Sequence, residues 1–223
     1  MNIILILSIL AFGAIGMFLR NYWDVQLEKL FQKQVEITST SRAIDVLNSM
    51  FGIDVKINKI DRTKGIGADY YSPINDEFYL TEDTEKYNSA SVTIAYFLGL
   101  LKLVSTKSDS TSASLPILSM VLNISLIVFI TIGTFSVNEV YIYIIAGIYI
   151  TLIFLEIISN RIYFRLTPSF VTKTFKKNKI LISKADLISL NEYVSTRWWQ
   201  LVTTLLFNRI LVSYYFILRL FKK

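Results

Sequence analysis

The stretch that decides the fold is residues 91–102, SVTIAYFLGLLK. The stretch is typical of one helix, it is apolar on almost every side, and it contains a single glycine, Gly99. A helix needs about 20 apolar residues to cross a bilayer, so this one is too short to do so. It is also too apolar to lie in water, because a helix that is hydrophobic all round is stable only when it is buried. We therefore expect other parts of the chain to cover it.

The composition is that of a membrane protein with some water-facing mass. Hydrophobic residues make up 53% of the 223 residues, and the mean hydropathy of +0.49 is high for a soluble domain. The formal net charge of +6 is typical of a membrane protein with a basic cytoplasmic face. Nucleic acid is not an expected partner, because the lysines do not alternate with a compact set of aromatic residues.

The chain contains no histidine and no cysteine. Histidine is the commonest metal ligand and the commonest general base near neutral pH, and a zinc site without histidine or cysteine would need carboxylates alone, which suits zinc poorly. Serine–histidine triads and cysteine–histidine pairs are excluded outright, and so is a disulfide. We expect no cofactor.

Apolar runs predict three membrane-spanning helices. The run that ends at Arg20 predicts a retained anchor at residues 1–19. A cleaved signal peptide is the alternative, but it would have a basic start and a small-residue cleavage site. Residues 117–136 and 140–158 are separated only by VNE, which predicts an antiparallel transmembrane hairpin within residues 116–158.

The C-terminal stretch, residues 197–223, leaves two interpretations open. Its apolar length would span a bilayer, but Arg209 lies near the middle, at a cost of about 2.5–3.5 kcal/mol on insertion scales. We favour a fourth span in which Arg209 faces protein. An interfacial or re-entrant helix, anchored by Trp198 and Trp199, is the alternative.

A basic segment, residues 159–196, sets the predicted orientation. Lysine and arginine next to a membrane span favour the cytoplasmic side, so we expect residues 20–115 in the cytoplasm as well, and the N-terminus outside. The expected location is the cell membrane, with several spans and the lipid bilayer as a partner. The basic residues of the segment are Arg161, Arg165, Lys173, Lys176, Lys177, Lys179 and Lys184.

Residues 20–115 are predicted to form a small domain of helices and strands. TSTSRAIDVLNSMFGI is typical of a helix that is capped by the hydroxyls of Thr38–Ser41 and ended by Gly52. IDVKINKI and EFYLT are typical strands, and we expect them to pair as a hairpin-like sheet, with YYSPIND as a turn. The predicted fold class is an α+β membrane protein, mainly α-helical, with three or four transmembrane helices.

The segment ADYYSPINDEFYLTEDTEKYNSASVTIAYFLG carries a resemblance to the YugP-type membrane zinc metallopeptidases. Asp69, Tyr71 and Pro73 match the turn of that family, and Gly99 matches the glycine of its zinc-binding helix. LEIISNRI resembles a later family motif, with Glu156 in the place of a zinc ligand and Arg161 in the place of an arginine. The order of the elements is similar over nearly the whole chain. The resemblance implies a metallopeptidase-like cytoplasmic domain.

The chain departs from this family at the residues that carry the chemistry. Where the family has H-E-x-G-H, this chain has Tyr96, Phe97, Leu98, Gly99 and Leu100. Histidines at i and i+4 hold one zinc ion, and the glutamate between them activates a water molecule. Tyrosine, phenylalanine and leucine at those positions cannot do this. We therefore expect no catalytic and no metal-binding residue at this site.

The resemblance and its departures together suggest a protein that binds without cutting. We expect an inactive metallopeptidase homologue that serves as a membrane scaffold or as a subunit of a larger membrane complex. One alternative is a small transporter or channel subunit that uses Glu156 and Arg209 as intramembrane charges. Another is a hydrolase that acts by an unrecognised route. Without the histidines, we expect Glu156 to pair with Arg161 or another basic residue or to lie among the lipid headgroups, and Arg209 to be its partner or a snorkelling interface residue.

Overall fold

The computed structural model describes residues 3–35, 42–52, 55–60, 69–81, 84, 88–105, 114–136 and 138–221. This part of the chain is mainly helical and carries one small sheet. The elements in chain order are α1 (Ile3–Val35), α2 (Ala43–Phe51), β1 (Ile57–Ile60), β2 (Tyr70–Ser72), β3 (Glu77–Thr81), α3 (Asn88–Val104), α4 (Ser114–Phe135), α5 (Val140–Ser159), α6 (Arg161–Arg165), α7 (Pro168–Lys177) and α8 (Lys184–Phe221).

The chain forms two compact units. The first, here the helical unit, comprises Met1–Asp24, Thr111–Arg161 and Trp199–Lys223. The second, here the mixed unit, comprises Val25–Ser110 and Ile162–Trp198. The chain passes from one unit to the other inside α1 and inside α8. Neither helix contains a proline or glycine near that boundary, so each continues without interruption. The predicted anchor at residues 1–19 is thus the first part of a helix that continues to Val35.

Within the described residues, three helices are long and apolar enough to cross a membrane, and they match the three apolar runs of the sequence. They are Ile3–Leu30, Ile117–Phe135 and Val140–Ser159. The favoured fourth span at residues 197–223 stays a prediction. In the helical unit, side chains of α1, α4 and α5 share a small core, while large apolar side chains of the same helices, such as Ile150 and Phe154, are exposed. Lipid is the environment in which such exposed apolar faces are stable. The core residues are Leu5, Ile6, Ile9, Leu126, Ile130 and Leu152.

Helix α8 packs closely against α1 within the helical unit. A Cβ atom added to Gly16 would lie 2.6 Å from Cβ of Phe207, so the two helices approach each other where α1 has no side chain. The rings of Trp23 and Trp199 are stacked, with their centroids 6.2 Å apart. The C-terminal helix begins at Lys184 rather than at residue 197, so the predicted basic segment contains α6, α7 and the first turns of α8.

The sheet of the mixed unit has the strand order β1–β3–β2. β1 runs parallel to β3, with Ile57 opposite Phe78, and β2 runs antiparallel to β3, with Ser72 opposite Glu77. The expected hairpin between IDVKINKI and EFYLT is therefore wrong. Parallel strands cannot be joined by a tight turn, and the β-prone Tyr70–Ser72, which we had placed in the turn, forms the hairpin with β3 instead.

Two helices of the mixed unit follow the sequence prediction closely. α2 is followed by Gly52, whose φ of 94° is a value that glycine adopts readily. The N–H of Gly52 donates to the carbonyl of Asn48 at 2.8 Å. The predicted hydroxyl caps at Thr38–Ser41 lie outside the described residues. α3 contains the whole of residues 91–102, and every residue from 91 to 101 is buried. It packs against α2, the sheet, α7 and the first turns of α8.

Gly99 of α3 packs against the side chain of Met50 in α2, and we expect Gly99→Leu to destabilise the mixed unit by about 1–3 kcal/mol through overpacking. A Cβ atom there would lie 2.5 Å from Cε and 2.7 Å from Sδ of Met50. The measurement is thermal or denaturant unfolding of the purified protein in detergent.

The matched control is Gly147→Leu in α5, where an added Cβ would meet nothing within 4 Å; a change within about 0.5 kcal/mol is expected there. In the Gly99→Leu background, Met50→Ala should recover part of the lost stability, because it removes the side chain that the new leucine would meet. Equal losses from the two glycine variants would contradict this account of Gly99.

Candidate functional site

The three residues that stand in place of the histidines and the glutamate in the resemblance lie in the core of the mixed unit. The side chains of Tyr96, Phe97 and Leu100 are 8%, 7% and 0% exposed. The Tyr96 ring meets Phe175 of α7 edge to face, with the centroids 5.9 Å apart. The Phe97 ring meets Tyr193 of α8 in the same way at 5.1 Å. Aromatic rings from two other helices thus fill the space around the positions where a zinc helix would carry its ligands.

The donor atoms at these positions are unsuited to a metal ion. Tyr96 has the only side-chain oxygen among the three residues, and burial, together with the charge of Asp186, raises the pKa of its phenol above the ordinary value of 10.0. It is therefore a neutral phenol at physiological pH. Within the described ranges, no group of three or more histidine, cysteine, aspartate or glutamate residues could hold a metal ion.

Glu156 and Arg161 belong to the helical unit, not to the mixed unit that contains α3. Glu156 lies in the last turn of α5, where its backbone carbonyl accepts hydrogen bonds from N–H and Nδ2 of Asn160 at 2.9 and 3.0 Å. Arg161 is exposed at the start of α6. The side chain of Arg209 lies outside the part of the chain whose side chains are described. The pairing of Glu156 with Arg161 or Arg209 stays a prediction.

A polar network around Asp69 was missed as a site by the sequence reasoning, which used this residue only as a turn match. Its Oδ1 accepts the backbone N–H of Thr81 at 2.7 Å, and its Oδ2 accepts the hydroxyl of Thr84 at 2.8 Å. The hydroxyls of Thr81 and Thr84 lie 2.9 Å apart, and the Ser91 hydroxyl donates to the Thr84 carbonyl. All three hydroxyl residues are buried. The network joins the end of β3 to the buried start of α3.

Arg197 of α8 extends this network across the mixed unit. Its Nε donates to the Tyr193 hydroxyl at 3.1 Å, and its guanidinium carbon lies 5.5 Å from the centroid of the same ring. It also interacts electrostatically with Asp69 and Tyr163. Burial, and next the neighbouring Tyr193, raise the pKa of Tyr163, although Arg197 opposes the shift. The network pairs the partly buried charges of Asp69 and Arg197 with hydrogen-bond donors and acceptors, which a structural role requires.

A second polar junction lies at the other end of α3. Lys102 Nζ is 2.8 Å from Oδ1 of Asp76 and lies over the rings of Phe51 and Phe78, 5.0 and 5.6 Å from their centroids. The Tyr71 hydroxyl donates to the same carboxylate oxygen at 2.7 Å. Burial and then this hydrogen bond raise the pKa of Tyr71 to about 12, so its proton remains in place as the donor. α3 is thus tied to the β-hairpin at both of its ends.

The Asp69 network is more buried than the Lys102–Asp76 ion pair, so we expect its loss to cost more free energy of unfolding. Asp69→Asn should lower the free energy of unfolding by about 1.5–3 kcal/mol, because it removes hydrogen bonds to a charged group in a buried network. Asp76→Asn, the matched control, should cost less than about 1 kcal/mol, because Asp76 is 60% exposed and solvent screens its ion pair. Unfolding of both variants in detergent measures the difference, and the reverse order would contradict the assignment.

Comparison with known proteins identifies no relative of this chain. A scan against protein-family models, a search of curated proteins and a search of solved structures each found no match. The resemblance to the YugP-type metallopeptidases therefore stays a prediction from the residues quoted above.

Proposed function

We propose that the chain is a membrane protein without peptidase activity, in which the mixed unit is a binding scaffold for other membrane proteins. The observation that supports this proposal is the packing of Tyr96, Phe97 and Leu100 into an aromatic and aliphatic core. A hydrolytic site needs a cleft that admits substrate and water. Here Tyr96, Phe97 and Leu100 pack in the core instead.

The physical chemistry of the filled positions supports the same proposal. A site that loses only some of its polar residues leaves buried donors or acceptors unpaired, at about 1–3 kcal/mol each. Replacement of all of them by apolar groups avoids this cost, and burial of Phe97 and Leu100 contributes about 1.5–3 kcal/mol each. Such a core is stable without a metal ion, and a scaffold needs only the stable surface that the core supports.

We place the mixed unit on the cytoplasmic side of the membrane. The proposal is supported by the three membrane-spanning candidates and by the basic residues that follow α5, since positive charge next to a span favours the cytoplasm. The turn between α4 and α5 then lies on the outer side, at the opposite ends of those two helices.

The chain has no cysteine, so single cysteines test this orientation directly. In intact cells, Glu139→Cys in the α4–α5 turn should react with a membrane-impermeant thiol reagent. Lys177→Cys in α7 should react only after the membrane is permeabilised. Both residues are exposed, so burial does not limit either reaction. The opposite pattern of labelling would place the mixed unit outside.

Metal content and proteolysis test the absence of peptidase chemistry. The purified protein should hold far less than one zinc ion per chain and should cleave neither unfolded protein nor membrane-protein substrates. An active zinc metallopeptidase purified in the same detergent is the positive control. One zinc ion per chain that is lost in Tyr96→Phe would contradict the proposal and favour a hydrolase.

Site-specific crosslinking tests the scaffold role. A photoreactive residue at Ile74, which is 69% exposed on the β-hairpin turn, should form discrete adducts with other membrane proteins in cells. The same residue at Ile150, on an exposed face of α5, is the control and should react mainly with lipid. The adduct from Ile74 should form again when the identified partner and this protein are mixed in purified form. A mixed unit that yields no protein adduct from any exposed position would argue against a scaffold.

A further inference from the structure

The segment between α7 and α8 projects one leucine into solvent. α7 directs Val171 and Phe175 into the core of the mixed unit and ends at Lys177. Lys179 has a φ of 54°, and the N–H of Ile180 returns to the carbonyl of Phe175 at 3.1 Å, which closes the helix end. The chain then runs through residues 180–183 before α8 begins. We call residues 178–184, which include the first residue of α8, the Leu181 loop.

The exposure of Leu181 is imposed by its neighbours. Ile180 and Ile182 are partly buried and pack against the core of the mixed unit. Side chains of an extended segment alternate between two sides, so Leu181 points outward and is 95% exposed, the highest value among the large hydrophobic residues in the described ranges. The Ser183 hydroxyl accepts the N–H of Asp186 at 3.0 Å and fixes the following helix start. Both ends of the loop are therefore held while the leucine remains in solvent.

The surroundings of Leu181 are strongly basic. No acidic residue occurs between Glu156 and Asp186 in the sequence. The lysines of the loop and of the adjacent face of α7 are exposed, and the Asp186 carboxylate accepts a hydrogen bond from Ser183 at 2.7 Å. The exposed lysines are Lys173, Lys176, Lys177, Lys179 and Lys184.

We propose that the Leu181 loop docks on an anionic phospholipid surface, with Leu181 inserted at the boundary between headgroups and acyl chains and the lysines at the lipid phosphates. The inference rests on the proposed membrane location and adds a second, peripheral contact with lipid. A single exposed apolar side chain with several exposed lysines near it in the sequence suits a charged bilayer surface. A protein interface of useful size would present a broader apolar patch at its centre.

Spin labelling of the full-length chain in proteoliposomes tests this docking. Because the chain has no cysteine, Leu181→Cys, Ile74→Cys and Ile150→Cys each carry one nitroxide. Its accessibility is measured with oxygen, which concentrates in the bilayer, and with a water-soluble nickel chelate. The vesicles contain phosphatidylcholine alone or phosphatidylcholine with phosphatidylglycerol. Ile150→Cys reports whether α5 lies in lipid, so failure of the membrane location and failure of the loop contact are distinguished.

With anionic lipid, the ratio of oxygen to nickel accessibility at Leu181→Cys should rise toward that of Ile150→Cys, while Ile74→Cys keeps the low ratio of a site in water. The rise should be lost in phosphatidylcholine alone and in the background Lys177→Gln, Lys179→Asn, Lys184→Gln. A Leu181→Cys ratio equal to that of Ile74→Cys in anionic vesicles would overturn the proposal. So would insertion that is independent of lipid charge, or low access to both reagents, which would mean that protein covers the loop. A low ratio at Ile150→Cys would overturn the membrane location and this inference with it.

Discussion

The mixed unit depends on the need to keep one short apolar helix out of water. α3 is buried along the whole of residues 91–101, and no single neighbour can cover a helix that is apolar on every side. α2 and the sheet cover part of its surface, and α7 and the first turns of α8 cover the part that carries Tyr96 and Phe97. The other helices and the sheet of the mixed unit therefore enclose α3.

The enclosure also explains where the polar groups of the mixed unit lie. The middle of α3 meets hydrocarbon and aromatic rings, so hydrogen-bonding groups there would lack partners. Among the described residues, polar contacts tie both ends of α3 to the β-hairpin, through Ser91 with the Asp69 network and through Lys102 with Asp76. The β-hairpin contributes to both junctions, because Asp69 precedes β2 and Asp76 closes the turn before β3. A hairpin held at two points sets the position of the helix against the sheet.

Local features of this fold were predictable from sequence, and long-range pairings were not. Gly52 ends α2 and the apolar runs form long helices, because these outcomes follow from backbone freedom and from composition over a few turns. The parallel pairing of β1 with β3 joins strands that are not neighbours in sequence, and local patterns do not specify such a pairing. The link between Asp69 and Arg197 likewise joins residues that are distant in sequence. The absence of metal ligands at Tyr96, Phe97 and Leu100 was visible in the sequence, but the contacts of Tyr96 with Phe175 and of Phe97 with Tyr193 required the packed structure.

The closed core also constrains where binding can occur. Under the proposed scaffold function, the altered motif cannot touch a partner, because its side chains are occupied inside the mixed unit. Contacts must then form through exposed groups, of which the hairpin offers Tyr70 and Ile74. The ring of Tyr70 stacks on Tyr79 with the centroids 4.5 Å apart, so this surface is ordered by its own side chains before any partner arrives. A preformed surface loses less entropy on binding than a flexible one.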